Sequence, residues 1–224
     1  IMKTYQTDLT NNQWNTIVKI ILDNRKRKYD LQLIVNALFY LVKTGCQWRM
    51  LPASFPKWTL VYYYFSKWKR DGTFDLIMSN LRSNDSTIGI IDSQSVRVGN
   101  RAEDKGYDGN KKIKGRKRHI VVNAEGDLLS VKVHNAGIHD SKAALEVIKK
   151  TKEDHLKLTD IYADGGYRGE LKDHVKSLLK CNLHIILRHK IKKFIPLPKR
   201  WVVERTFAWL LNFRRLAIDF ELKT

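Results

Sequence analysis

Between residues 9 and 82 the apolar positions recur at helical spacing. Thr10-Asn11-Asn12-Gln13 reads as a capping box with Leu9 and Trp14 placed to staple across it, and Trp14, Ile17, Val18 and Ile21 share one face. The basic stretch NRKRK (Asn24–Lys28) links to a second helix that Asp30 can cap. Its apolar face is Leu31, Ile34, Val35, Leu38 and Leu41, and Gly45 is placed to stop it. QWRMLPASFP, punctuated by Pro52 and Pro56, predicts a loop. WTLVYYYFSKWKR predicts a third helix closed by Asp71-Gly72, and Thr73 is a candidate cap for a fourth, FDLIMSNLR. After Ser83-Asn84-Asp85-Ser86 the period shortens. TIGIID predicts a short strand ending on Asp92, and HIVVNAEGDLLSVKVHN a hairpin about a Glu125-Gly126-Asp127 turn. HDSKAALEVIKK predicts a helix capped by Asp140 or Ser141, LTDIYAD a strand, GELKDHVKSLLK a helix and CNLHIIL a strand. KRWVVERTFAWLLNFRRL predicts a final helix approached through Pro196 and Pro198. The order predicts a helical domain over 1–84 and, over 85–224, an α/β domain with helices packed on a mixed sheet.

Charge adds a partner to this picture. The 224 residues carry 42 Lys+Arg against 23 Asp+Glu, a formal +19. Such an excess points to a polyanion. No apolar run reaches the ~20 residues of a membrane span, and the first residues are too polar for a secretory leader. Nucleic acid is therefore the expected partner. Cys46 and Cys181 lie far apart in apolar settings and read as core residues of a reducing compartment. In the helical part Lys57, Lys67, Lys69 and Arg70 suit phosphate contacts of a helix-turn-helix-like reader. Tyr62, Phe65 and Trp68 are first of all core residues there, and a basic helix is equally a solvated face. Lys111, Lys112, Lys114, Arg116, Lys117 and Arg118 form the densest basic run. It lies just ahead of the second strand and is expected to track a DNA backbone, a solvated loop being the alternative.

Three acids stand out by position. Asp92 and Asp164 each fall where an apolar strand gives way to loop, the edge at which α/β sheets place chemistry. As neighbours, two such carboxylates repel unless a cation lies between them, and magnesium suits an all-oxygen site. Glu204 borders the apolar stripe of the last helix, one turn after Arg200. Taken singly, Asp92 as a turn cap and Arg200–Glu204 as a helix ion pair are the simpler readings. His134 and His139 lack a zinc-ligand pattern and suit structural or DNA-facing roles. Ser93 and Ser95 have no histidine base beside them in sequence.

The stretches IGIIDSQSV, GNKKIKGRKRH, YADGGYRG and KRWVVERTFAWL, in this order, resemble the DDE transposases of bacterial insertion sequences, in the insertion-sequence-five group of the insertion-sequence-four superfamily. GCQWRMLP and VYYYFSKWKRDG resemble the N-terminal part of the same group, so the likeness spans nearly the whole chain. The resemblance implies a ribonuclease-H-like mixed sheet flanked by helices, preceded by a small helix-turn-helix-like domain. It implies a catalytic and metal-binding triad of Asp92, Asp164 and Glu204 that holds two Mg2+ ions, with Mn2+ as substitute, and Arg200 placing a DNA phosphate. The activity implied is cleavage of double-stranded DNA at terminal inverted repeats and strand transfer into target DNA. A homodimer or larger assembly in the bacterial cytoplasm, at the nucleoid, is implied with it. Two departures bear on this. Leu211 and Asn212 stand where the family carries a basic residue, the nearest being Arg214 and Arg215, and the chain stops at Thr224 where the family continues. A trimmed copy, an inactive DNA-binding remnant and a nuclease that cuts without joining therefore stay open.

Overall fold

The computed structural model describes residues 5–21, 26–82, 86–187 and 200–222. The Pro196–Pro198 approach to the last helix, Asn24 and Arg25 of the basic link, and Ser83–Asp85 at the expected boundary lie outside them. Two compact units emerge, Ile1–Arg82 with Asn212–Leu216, and Ser83–Leu211 with Ala217–Thr224.

The first unit is helical, as patterned. Thr10 caps α1 (Asn11–Val18) by accepting from the Gln13 amide, and the Gln13 side chain returns to the Thr10 amide. This reciprocal box satisfies two donors that the first turn leaves orphaned. Asp30 caps α2 (Leu31–Thr44) through the Gln32 amide, and Gly45 ends it in the left-handed region at φ 70°. A side chain at Gly45 would also press on Arg214, so backbone conformation and packing both demand glycine. The helix α3 (Trp58–Arg70) buries Val61 and Trp68 against α2, and α4 (Thr73–Leu81) follows after Gly72 at φ 75°. Gly72 occupies the cap position expected of Thr73, because Asp71 takes the hydroxyl of Thr73 and its amide. Tyr62 departs from expectation: it is exposed, edge-on to Trp48, while Trp68 alone of the three aromatics is fully buried.

The second unit is a six-stranded mixed sheet. Its strands are β1 (Ile88–Arg97), β2 (Gly106–Asp108), β3 (Ile113–Val122), β4 (Leu128–Asn135), β5 (Asp160–Asp164) and β6 (Asn182–Ile186). β3 runs antiparallel to β1 on one side and to β2 and β4 on the other. β5 is parallel to β1, and β6 is parallel to β5. The crossovers are α5 (Asp140–Asp154) and α6 (Leu171–Leu179), which cover one face through Ile91, Val121, Val147, Ile148, Ile161, Val175 and Leu183. The other face is covered by α7 (Arg200–Leu211), with Val202, Val203 and Phe207 on Ile90, Ile120 and Val122. Burying each such side chain is worth about 1.5–3 kcal/mol. This is the mixed, helix-flanked fold that the resemblance implied.

Four local expectations are corrected. β1 does not end on Asp92; it continues to Arg97 because its antiparallel pairing with β3 persists that far. β3 starts at Ile113, so most of the basic run lies inside the strand rather than ahead of it. His139, not Asp140 or Ser141, caps α5, accepting from the Ser141 amide. The final helix breaks after Leu211, and a short α8 (Arg214–Ala217) follows. Asn212–Leu216 belongs by packing to the helical unit: Arg215 donates to the Cys46 carbonyl at 2.9 Å, and Lys43 donates to the Asn212 carbonyl at 3.0 Å.

Candidate active site

The sheet forks at Asp92. Parallel pairing of β1 with β5 covers Ile88, Gly89 and Ile90 and then stops, while the antiparallel side continues. From there β1 has a partner on one edge only. Alternation puts Asp92 on the α7 face with Ile90, and Ser93 on the α5 face. Asp164 closes β5, where its Oδ1 accepts from the Gly166 amide at 2.8 Å and caps the turn Gly165–Tyr167. Asp92 likewise spends Oδ1 on the Ser93 amide, at 2.7 Å.

Each aspartate turns its other oxygen to Arg200 in the first turn of α7. Arg200 Nη2 lies 3.7 Å from Asp92 Oδ2, 3.5 Å from Asp164 Oδ2 and 3.4 Å from Glu204 Oε1. The structure thus brings all four residues together. These are ion-pair separations rather than hydrogen bonds. Arg200 Nε is buried and has no partner. Burial pushes the Asp92 carboxyl up to about 6, with Asp164 adding to the rise and the Ser93 amide, Arg200 and Lys111 opposing it. Among the described residues no three acids or imidazoles close into a cage around a single ion; the guanidinium gathers the acids instead. The donors are all carboxylate oxygens, and the three that face Arg200 carry no backbone hydrogen bond, which is the chemistry hard divalent cations take.

The basic run divides. Lys111, Lys112 and Lys114 are exposed, and Lys111 Nζ donates to the Ser93 carbonyl at 2.9 Å, next to Asp92. Arg116, Lys117 and Arg118 are buried, which corrects their expected place on a DNA backbone. Strand alternation sends Arg116 and Arg118 to one face of the sheet and Lys117 to the other. Arg116 donates to the carbonyls of Glu103, Glu221 and Leu222 and to Asp219 at 2.8 Å. Lys117 sits 2.8 Å from Asp140 and 3.5 Å from Asp108, and Arg118 donates to Gln94. In the helical unit Lys69 and Arg70 are exposed, and Lys67 pairs with Asp71 at 3.4 Å.

A polar network under the acids was not legible in the sequence. His119 Nδ1 and His134 Nε2 are 2.7 Å apart, and His134 Nδ1 faces the Asn135 carbonyl at 2.8 Å. A carbonyl only accepts, so His134 carries its proton on Nδ1 and accepts from His119 through Nε2. His119 Nε2 is then a buried acceptor with no donor, 3.8 Å from Asp140, and Ser93 is a side-chain partner of both Asp140 and Tyr167. The clue would have been the period-two placement of His119, Lys117, Ser93 and Ser95 on one face. Burial pushes His119 down to about 3; Asp140 opposes this, while His134, Lys117 and Lys111 reinforce it. The unfolded chain takes up that proton near about 6.5, the folded protein only near the lower value. Between the two the unfolded state binds more protons, so this stability is complete above about 6.5 and is lost as the pH falls. In His119→Gln the difference in unfolding free energy between pH 7 and pH 5, measured in urea, is expected to shrink. An unchanged difference would contradict it; the opposing contribution of Asp92 is common to both proteins.

Fold and site together place three acids at the fork of a helix-flanked mixed sheet. The signature described as "Transposase DDE domain" matches residues 83–222, and this chain belongs to that family. Residues 9–78 match the signature "Putative transposase of IS4/5 family". The chain is 35% identical over 116 residues to the "Putative transposase for insertion sequence element IS402" of Burkholderia cepacia, covering 48% of this chain. It spans about half, 54%, of that curated relative's length. Among solved structures, the piggyBac transposase synaptic complex with hairpin DNA overlaps 80% of this chain and 48% of its own, at 12% identity and a TM-score of 0.42. The Drosophila P element transposase strand transfer complex overlaps 77% of this chain and 45% of its own, at 14% identity and a TM-score of 0.37. No helix among the described residues is long and apolar enough to cross a membrane.

Proposed function

We propose that this chain is a transposase that cleaves double-stranded DNA at the ends of an insertion element and joins the freed ends to target DNA. One observation carries the reading: acids from β1, β5 and α7 meet on one guanidinium where the sheet forks. Family membership supports a divalent-metal requirement, and the oxygen donors suit two Mg2+ ions, with Mn2+ as substitute. Asp92, Asp164 and Glu204 would hold them. Bound there, the pair supplies charge neutralisation at the scissile phosphate and polarises the attacking and leaving oxygens.

The chain's own groups position the DNA. Arg200, with its planar fork, suits a phosphate oxygen. Lys111, anchored on the Ser93 carbonyl, keeps N–H groups free beside Asp92. In cleavage a water oxygen attacks phosphorus and the 3′-oxygen leaves with a proton. In joining, that 3′-hydroxyl attacks a target phosphorus, one P–O bond forming as another breaks. Lys67, Lys69 and Arg70 would meet phosphates of the terminal repeats, and two ends handled together call for a dimer at least. Such a protein acts at the bacterial nucleoid.

The test uses DNA from the gene's own flanks, with its terminal repeats, incubated with the protein and Mg2+ or Mn2+. Nicks at the repeat ends and joined strands, both absent in Glu204→Ala, are expected. Free cut ends without joining would reduce the protein to a nuclease, and binding without cleavage to an inactive remnant. At the exposed start of β3, Lys114→Ala should lower DNA affinity for all sequences and flatten the dependence of log K on log salt by about one. An unchanged slope would remove Lys114 from the interface.

A further inference from the structure

We propose that Arg200 is the built-in counter-ion of the acid cluster, holding Asp92, Asp164 and Glu204 in position until divalent ions take its place. The inference deepens the metal-dependent reading above and rests on it.

The geometry around Arg200 is that of a placeholder. A guanidinium fixed for good among carboxylates forms bidentate pairs that use several of its five N–H groups at hydrogen-bond distance. Arg116 in this same protein shows the hydrogen-bond distances of a fixed guanidinium: its three nitrogens reach the carbonyls of Glu103, Glu221 and Leu222 and one oxygen of Asp219 at 2.7–3.2 Å. Arg200 instead offers one nitrogen, Nη2, to three acids at 3.4–3.7 Å, and buries Nε with no acceptor. No hydrogen bond holds it among these acids.

Charge also explains why it is needed and why it must leave. Three carboxylates facing one another without a cation repel and splay. A single positive charge at their centre keeps them gathered without satisfying them. Two divalent ions would more than neutralise the same acids, and a guanidinium among them would then be repelled. Arg200 stands in the first turn of α7 on a long, rotatable side chain, so it can swing out while Glu204, one turn on, stays in place. Loading and release become one exchange, and the displaced guanidinium is freed for an anion. Arg200 is on this account a positioning residue.

The test uses the full chain without DNA. Mg2+ is titrated while the Arg200 Nε–H resonance is followed by 1H–15N correlation, assigned by its absence in Arg200→Lys. Calorimetry then gives Mg2+ and Mn2+ affinity for wild type, Arg200→Gln and Asp92→Asn. We expect the resonance to shift in step with saturation. Arg200→Gln should bind the metal about tenfold more tightly or better, since a unit charge at this range moves a neighbouring ionic equilibrium by one unit or more. An Nε–H signal that stays put while Asp92-dependent binding saturates overturns the exchange and leaves the metal site standing. Equal or weaker binding by a folded Arg200→Gln does the same. Metal binding that is absent, or indifferent to Asp92→Asn, removes the metal reading itself and the exchange with it.

Discussion

Asp92→Asn is expected to abolish metal-dependent DNA cleavage, by about 10^3-fold or more, while the protein stays folded and binds DNA. The substitution keeps shape and removes charge. A metal clamp at a phosphate is worth several kcal/mol of transition-state stabilisation, and each 1.36 kcal/mol is tenfold in rate. Stability should move the other way or not at all. Burial pushes the Asp92 carboxyl up to about 6, so its charged form at neutral pH is held at a cost. An amide there carries no such cost, and strain of this kind at a working site is commonly relieved when function is removed. The decisive comparison is cleavage rate beside urea midpoint at pH 7. Wild-type cleavage by Asp92→Asn would dismiss the residue as a ligand. Lost cleavage with a fallen midpoint would reduce it to a structural acid.

The second large effect is one of stability. Arg116→Ala should destabilise the sheet unit by about 3–5 kcal/mol, the usual consequence of breaking a buried charged pair from one side. Arg116 is 1% exposed. Its loss leaves the carbonyls of Glu103, Glu221 and Leu222 and the carboxylate of Asp219 facing a hole. An isolated parallel bridge from Val98 reaches the same Asp219. A surface lysine such as Lys114 should change stability by less than about 0.5 kcal/mol when removed. Chemical unfolding of the two variants side by side decides: equal midpoints would mean that Arg116 is not the clamp its bonds describe.

The contrast between Arg116 and Lys114 marks what the sequence could convey. Helix caps at Thr10 and Asp30, the stop at Gly45 and the apolar faces were readable because they are local chemistry. The three acids were readable because apolar runs led up to two of them and an apolar stripe ran beside the third. The basic run misleads because six charges so close together read as a loop's. Pairing with β1 draws those residues into a strand, and Gly115 lets the two backbones close where a side chain would strike the Val96 carbonyl. The His119–His134 pair and the Asp108–Lys117–Asp140 bridge join positions far apart in sequence, and only the sheet register aligns them. In the sequence Asp92 reads as a strand end because polar residues follow it. It is a strand middle whose parallel neighbour has left.

The way Arg116 holds residues 219–222 has an evolutionary corollary. Besides Asp219, it grips main chain there, the carbonyls of Glu221 and Leu222. Main-chain carbonyls are present whatever the side chain. Positions 221 and 222 can therefore drift freely among relatives while the clamp persists, whereas Asp219 and Arg116 should be exchanged together or not at all. Diverged copies of this protein would then keep this segment fastened though its letters no longer look alike.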